Sequence, residues 1–164
     1  MSAVHLIVGS TGAGKSTYAL GLAAQHRALR FSIDVWMDEL FAADKPDDAG
    51  FDWYWPRIQR CETRLWAVAS EALALGTPAV LDLGLSTRAH RDKFRALAAD
   101  AGYPVQLHVL DVDPQTRWAR VEARNAEQGE TYSLTVTREM FDFVEGIFEA
   151  LDEDELEGAL IVAP

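Results

Sequence analysis

Short apolar runs alternate with longer segments of helical period along the chain. Strands that are buried on both faces of a parallel sheet read as continuous apolar runs rather than as alternating patterns. Five runs fit this description, at residues 5–8, 30–33, 79–83, 105–110 and 159–162. The pattern predicts an α/β fold, with a five-stranded parallel sheet covered by helices on both faces.

Two segments show a clear helical repeat. Residues 56–75 place apolar side chains on one face, with Pro56 in the first turn and Gly76 as the stop. Residues 137–151 repeat the pattern, and Thr137 can act as the N-cap. By contrast, residues 44–55 and 127–133 are irregular and predict mobile loops, and residues 152–158 predict a solvated acidic run.

The bulk composition restricts the class of protein. At 164 residues and 49% hydrophobic content, we expect one domain over residues 1–164. A net charge of −11 disfavours the extended basic surface that binding to long nucleic acid requires. The lone cysteine, Cys61, excludes an internal disulfide, and no secretory signal or membrane-spanning run is present, so we expect a cytoplasmic protein without a membrane partner.

The stretch GSTGAGKS, residues 9–16, matches G-x-x-x-x-G-K-[ST] and lies between a predicted strand and a helix predicted to run to about residue 26. The glycines allow the backbone to curl with its amides inward, and the helix N-terminus favours phosphate. Lys15 would reach the β- and γ-phosphates and Ser16 would offer a hydroxyl to Mg²⁺. The alternative is an ordinary glycine-rich turn. The predicted nucleotide-binding residues are Gly9, Ser10, Thr11, Gly12, Ala13, Gly14, Lys15, Ser16 and Thr17.

Other nucleotide-binding classes fit less well. GTPase switches read guanine with an N-K-x-D segment, but Asn125 is the only asparagine in the chain and Ala126 follows it. Ring-forming ATPases need a further helical domain, for which the chain has no residues left. A small kinase fits best, and its chemistry needs a base for the acceptor, a carboxylate near Mg²⁺ and arginines over the phosphates.

Two aspartates follow predicted strands and should emerge at the carboxyl edge of the sheet, where ligands bind in open α/β folds. Asp34, in FSIDVWMDEL, is our candidate base; alternatively it caps a helix that begins at Val35. Asp82 is our candidate for the carboxylate that supports Mg²⁺. The alternative for Asp82 is an ion pair with Arg88 or Arg91.

Three arginines share one face of the helix predicted after Asp113 and Pro114. They are Arg117, Arg120 and Arg124, spaced i, i+3, i+7. Such a stripe is commonly a solvated surface, but in an acidic chain it favours a phosphate-binding lid over about residues 114–136.

The segment FDWYWPRIQR, residues 51–60, concentrates aromatic side chains near the candidate base. Trp53, Tyr54 and Trp55 could stack on an acceptor, with Arg57 or Arg60 near a charged group, and Arg91 could also face the acceptor. The alternative is that these rings cover the edge of the core or an oligomer contact. Cys61 is predicted to be a core residue, and the histidines show no metal-ligand spacing.

Together, GSTGAGKST, FSID, AVLDLGLSTRAHR and the arginine helix resemble the small P-loop kinases of the predicted-kinase group often labelled "AAA family ATPase". Zeta toxins, chloramphenicol phosphotransferase and gluconate kinases are similar. The resemblance implies phosphoryl transfer from Mg·ATP to a hydroxyl, with Asp34 as base. It also implies that one lid arginine packs by adenine, here Arg120, and another contacts the γ-phosphate, here Arg124.

These features predict an ATP-dependent kinase for a small-molecule hydroxyl acceptor, with ATP and Mg²⁺ as cofactors and Asp34, Lys15 and Arg124 as the catalytic residues. One alternative is a polynucleotide or RNA 5′-hydroxyl kinase, but related enzymes carry an arginine three residues after the base, where this chain has Met37. A non-catalytic ATP-dependent switch is the other alternative, and it would need no base. The sequence specifies neither the acceptor nor the oligomeric state.

Overall fold

The computed structural model describes residues 2–129 and 135–163. The first half contains β1 (Val4–Val8), α1 (Lys15–His26), β2 (Leu29–Ser32), α2 (Ile33–Phe41), a 3₁₀ turn (Ala42–Asp44) and α3 (Phe51–Ala74). The second half contains β3 (Ala79–Asp82), α4 (Arg88–Asp100), β4 (Val105–Leu110), α5 (Pro114–Glu127), α6 (Arg138–Ile147), α7 (Glu153–Leu156) and β5 (Leu160–Val162). All five predicted strands are confirmed. Part of the predicted loop at 127–133, and part of the predicted lid, lie outside the described residues.

The sheet is entirely parallel, with strand order β2-β3-β1-β4-β5. The central strand β1 therefore has β3 on one side and β4 on the other. Ser32 at the end of β2 is paired in register with Asp82 at the end of β3. Because parallel strands end at the same edge, the segments that follow β1, β2 and β3 meet there.

Helices cover both faces of this sheet, as the sequence predicts. On one face, α3 and α4 contribute Cys61, Leu65 and Phe94 to the larger core, and the core position predicted for Cys61 is confirmed. On the other face, α1 contributes Ala19 and Leu22 to a smaller core. Helix α1 thereby holds the loop that precedes it against the carboxyl end of β1.

Helix α3 begins at Phe51, five residues before the predicted start, so the loop predicted for residues 44–55 is wrong over its second half. Gly50 is the N-cap, and its carbonyl oxygen accepts hydrogen bonds from the backbone of Trp53 and Tyr54. The rings of Phe51 and Trp55, one turn apart, stack at 5.5 Å. The first turns of α3 are mostly aromatic and at most partly buried, so they carry no polar–apolar period to reveal a helix.

The acidic run at residues 152–158 is not simply solvated, which corrects that prediction. Asp152 forms a capping box with Glu155 at the start of α7. Glu155 is only 1% exposed and forms a two-point ion pair with Arg91, at 2.7 and 2.8 Å. Arg91 is fully buried in this pair, so the expectation that it faces the acceptor is wrong.

The predicted N-cap of α6 is confirmed, since the Thr137 hydroxyl accepts a hydrogen bond from the backbone of Met140. The helix ends at Ile147 rather than at residue 151. Just beyond it, the backbone N–H of Glu149 donates to the carbonyl oxygen of Ser86, which draws the chain toward the start of α4. Within residues 2–129 and 135–163, no helix is long and apolar enough to cross a membrane.

Candidate functional site

The loop between β1 and α1 has the conformation that its glycines permit. Gly12 and Gly14 have φ of +81° and +91°, in the left-handed region, and Gly14 is the N-cap of α1. Gly9 is required for a different reason. A Cβ at Gly9 would lie 3.0 Å from the carbonyl oxygen of Leu110 and 3.2 Å from the Cβ of Ala13. The loop is therefore wrapped closely against the end of β4.

Lys15 lies at the base of this loop, and its Nζ donates to the carbonyl oxygen of Ser10 at 3.0 Å. Burial lowers the pKa of Lys15, while the carboxylates of Asp82 and Asp34 oppose this shift. The charge of Lys15 therefore interacts with the charges of both candidate carboxylates. Ser16 and Thr17 follow in the first turn of α1, where backbone N–H groups lack intrahelical acceptors and can bind phosphate.

Asp34 lies in the first turn of α2 and is not its N-cap, so that alternative is wrong. The cap is Ser32, whose hydroxyl accepts from the backbone of Val35. Solvent reaches the Asp34 side chain, but the surrounding protein removes part of its hydration and raises the pKa of the carboxyl. Asp82 raises this pKa further, and the positive charges of Lys15, Arg124 and Arg30 oppose the rise. Asp34 therefore belongs to the same charged cluster as Lys15.

Asp82 ends β3 as a buried carboxylate that is ion-paired, but with neither of the partners that the sequence analysis considered. The NH2 group of Arg30 donates to Oδ2 of Asp82 at 2.7 Å. Arg88 instead pairs with Asp92 and Asp154 on the surface. Arg30 is a further site residue, and no motif in the sequence predicts it. A charged side chain inside the short strand β2 was the available signal, because its partner ends the neighbouring strand.

The three arginines of α5 share one face of the helix, as their spacing predicts, and Arg117 and Arg120 contact the phosphate-binding loop. Arg117 is 5% exposed, and its guanidinium donates to the carbonyl oxygens of Val112 and Thr11. NH1 of Arg120 lies 3.4 Å from the carbonyl oxygen of Ala13. The Nε of Arg124 is buried without an acceptor in the described ranges, and its charge acts on Lys15 and Asp34. Arg117 is therefore tied to the loop, whereas Arg124 faces the charged cluster.

Glu145 of α6 is a further site residue that the sequence analysis missed. It accepts two hydrogen bonds from Arg117, at 2.7 Å each, and another from the hydroxyl of Ser10. These bonds lower the pKa of Glu145, with Arg117 as the main cause. No spacing in the sequence links Ser10 to a residue 135 positions later.

The aromatic segment of α3 lies beside α2. Trp53 contacts Tyr54 edge to face at 5.0 Å, and the guanidinium of Arg57 lies 4.1 Å from the ring centroid of Trp53. Trp55 instead stacks on Phe51 and is 44% exposed. The three aromatic residues thus do not form a single surface.

The donor set at this edge of the sheet suits a magnesium ion. Ser16 offers a hydroxyl and Asp82 offers carboxylate oxygens, and oxygen ligands are those that Mg²⁺ prefers. In the part of the chain that is described, no group of three or more histidine, cysteine or acidic residues could hold a metal alone. Magnesium is commonly bound through one or two protein ligands together with substrate phosphates and water.

The fold and the loop define a P-loop nucleotide-binding protein with the architecture of the small kinases. The chain belongs to the AAA_33 family, described as an AAA domain, whose model matches residues 4–147. This agrees with the resemblance read from the motifs. No curated protein sequence matches the chain.

Solved structures share the fold at low sequence identity. A kinase candidate from Chloroflexus aurantiacus has a TM-score of 0.76 and 15% identity, over 98% of this chain and 87% of that one. Kti12 from Chaetomium thermophilum, in complex with ADP-AlF3, has a TM-score of 0.73 and 15% identity, over 98% and 88%. A gluconokinase from Sinorhizobium meliloti has a TM-score of 0.61 and 17% identity, over 98% and 81%.

Proposed function

We propose that this protein is an ATP-dependent kinase that transfers the γ-phosphate of Mg·ATP to a hydroxyl of a small molecule. The observation that carries the proposal is the position of Asp34 directly after β2, at the same edge of the parallel sheet as the loop that bears Lys15. Asp34 occupies the first turn of α2, and its charge acts on the lysine of the phosphate-binding loop. A phosphate-binding loop alone binds nucleotide, whereas a carboxylate facing its lysine also supplies a proton acceptor.

In the proposed reaction, Asp34 accepts the proton of the acceptor hydroxyl. The acceptor oxygen forms a bond to the γ-phosphorus as the bond from that phosphorus to the β–γ bridging oxygen breaks, which releases ADP. Burial raises the pKa of Asp34, which makes its carboxylate a stronger base than a free aspartate, while the positive charges of Lys15, Arg124 and Arg30 oppose this rise.

The cationic residues would act on the phosphates. Lys15 would neutralise charge on the β- and γ-oxygens, and the orphaned Nε of Arg124 would gain an acceptor there. Ser16 and Asp82 would hold Mg²⁺, which when bound shields the phosphate oxygens from the incoming hydroxyl. We further propose that residues of about 114–136 act as a lid, with Arg120 next to the adenine, because α5 already contacts the loop through Arg120.

Replacement of the base tests this proposal. Asp34→Asn should leave the affinity for Mg·ATP within about threefold and lower phosphoryl transfer by roughly 10²–10⁴-fold, the usual contribution of a positioned base. The matched control is Asp38→Asn, one turn later on the exposed side of α2. The measurement is transfer of labelled γ-phosphate to a panel of sugars, polyols, hydroxy acids and oligonucleotide ends.

Wild-type rates in Asp34→Asn would refute the assigned base. Transfer to oligonucleotide ends alone would favour the polynucleotide kinase, although Met37 packs against the core and offers no cation for a nucleic-acid phosphate. Nucleotide binding with release of phosphate to water alone, across the whole panel, would favour the switch.

A further inference from the structure

Arg57 of α3 is held in a fixed position. Its guanidinium lies 4.1 Å from the ring centroid of Trp53 and 5.6 Å from that of Phe41 on α2. Its NH1 also donates to the carbonyl oxygen of Trp53 at 2.8 Å. A stacked guanidinium that is also bonded to backbone loses less side-chain freedom when it binds a ligand.

The charge of Arg57 is not neutralised within residues 2–129 and 135–163. The chain has 26 acidic and 15 basic residues, and carboxylates pair with Arg30, Arg91 and Arg117. In those ranges no carboxylate lies within ion-pair distance of Arg57, and its buried Nε has no acceptor. A guanidinium without a carboxylate partner keeps an unpaired positive charge, and its natural partner is a carboxylate or a phosphate.

The position of Arg57 relative to the proposed base follows from α2. Asp34, Asp38 and Phe41 are spaced i, i+4, i+7 and so share one side of this helix. The stripe begins at the base and ends at the ring beneath Arg57. Seven residues at about 1.5 Å per residue separate the two ends by roughly 10 Å.

We propose that Arg57 binds an anionic group of the phosphoryl acceptor. The acceptor would be a small hydroxylated compound with a carboxylate or phosphate on the order of 10 Å from the hydroxyl that faces Asp34. This inference rests on the proposed function, since it places the acceptor hydroxyl at Asp34. It adds the substrate class: an anionic acceptor rather than a neutral sugar, polyol or drug.

The test compares matched anionic and neutral compounds on protein saturated with Mg²⁺ and a non-hydrolysable ATP analogue, so that phosphate sites in the loop are filled. The probes are glucose 6-phosphate against glucose, and gluconate against sorbitol. Binding is measured by calorimetry and by the shift in unfolding temperature. At least one anionic member should bind more than tenfold tighter than its neutral partner.

Arg57→Gln should abolish this preference while leaving the affinity for Mg·ATP unchanged, which also shows that the variant is folded. Arg57→Lys, which keeps the charge but not the planar fork, should retain part of it. Arg64→Gln, two turns further along α3 on an exposed position, is the matched control and should behave as wild type. In turnover assays the loss in Arg57→Gln should fall mainly on KM rather than kcat.

Equal binding of anionic and neutral probes, no binding of any of them, or an unchanged preference in Arg57→Gln would each overturn the inference. Asp34→Asn separates this inference from the proposed function. If Asp34→Asn abolishes transfer while Arg57→Gln changes nothing, the kinase proposal stands and the anionic subsite fails. If Asp34→Asn transfers at the wild-type rate while Arg57→Gln loses the anion, the base assignment fails and the subsite stands.

Discussion

Arg117 and Glu145 form a two-point ion pair, with both nitrogen–oxygen distances at 2.7 Å, which joins α5 and α6 beside the phosphate-binding loop. Glu145 also accepts from the Ser10 hydroxyl, and Arg117 donates to the carbonyl oxygen of Thr11. The loop is thus held by side chains from two helices that follow it late in the chain.

Removal of Glu145 should weaken both stability and nucleotide binding. In Glu145→Ala, the nearly buried Arg117 loses its carboxylate and Ser10 loses its acceptor, so we expect a loss of roughly 1–3 kcal/mol in the free energy of unfolding. Affinity for Mg·ATP should fall about tenfold, equivalent to about 1.4 kcal/mol. Denaturant unfolding and calorimetry measure the two effects.

The control for Glu145 is Asp142→Asn on the same helix, whose partner Arg138 lies on the surface. This exposed pair should contribute less than about 1 kcal/mol and should not affect the nucleotide. Equal effects of the two substitutions would show that the contact with the loop has no special role.

The Arg30–Asp82 pair should control how strongly nucleotide binding depends on magnesium. In Arg30→Met, Asp82 loses its guanidinium partner, so the Mg²⁺ concentration for half-maximal ADP binding should decrease. Binding of ADP without Mg²⁺ should weaken by about tenfold, because one positive charge near the phosphates is removed. Titration of fluorescent ADP with and without Mg²⁺ measures both, and Arg30→Lys should stay close to wild type. Identical Mg²⁺ dependence in Arg30→Met would contradict this interpretation.

Two glycines with similar backbone conformations allow a paired test of the loop. Gly12 has φ of +81° and Gly102, after α4, has φ of +77°. A Cβ at Gly12 would collide with the carbonyl oxygen of Arg117 and lie 3.0 Å from Cγ2 of Val121, whereas nothing lies within 4 Å of a Cβ at Gly102. Both alanine variants should lose about 1–2 kcal/mol through left-handed strain.

Only Gly12→Ala should lose a further 1–3 kcal/mol or so from the clash and fail to bind nucleotide. Thermal unfolding and ADP titration distinguish the two variants. Equal stability and equal ADP affinity would show that α5 moves away from the loop without cost.

The buried His108 should make the protein less stable in mild acid. It lies within hydrogen-bond distance of His5, at 2.9 Å, and of the Tyr18 hydroxyl, at 2.8 Å, and His26 lies nearby. Burial, reinforced by the charges of His5 and His26, lowers the pKa of His108 to about 4. The histidine is therefore neutral in the folded protein at pH values where the unfolded chain binds a proton.

The lowered pKa of His108 determines the direction of the change in stability with pH. Because the folded pKa lies below the unfolded value of about 6.5, the stabilisation is complete above pH 6.5 or so and is lost as the pH falls toward 4, by up to roughly 3 kcal/mol. Urea unfolding of wild type and His108→Gln between pH 7.5 and 4.5 measures it. The variant should show a shallower decline, and an identical slope would contradict the assignment.

The sheet and the phosphate-binding loop were predictable because their signals are local. A parallel strand buried on both faces must be apolar along its whole length, as residues 105–110 are, and the glycine loop encodes its own backbone conformation. The stripe of Arg117, Arg120 and Arg124 was predictable for the same reason, since helical spacing alone places the three on one face.

Two predictions were wrong because the residues concerned give no local signal. Glu155 was predicted to lie in a solvated acidic run. Its ion-pair partner, Arg91, lies 64 residues earlier in the chain, so nothing near Glu155 in the sequence indicates the pair. The start of α3 at Phe51 was not predicted, because the side chains of its first turns do not alternate between polar and apolar with a helical period.

The sequence by itself determined the succession of strands and helices along the chain, the glycine loop and the candidate catalytic side chains. Each of these depends on a residue and its near neighbours in the sequence. Only the tertiary structure decided which charges neutralise one another: Arg30 with Asp82, Arg117 with Glu145, and Arg57 with no carboxylate in the described ranges. Ion pairing depends on distances of a few ångströms between segments that the fold brings together, and the local pattern of residues does not reveal those distances.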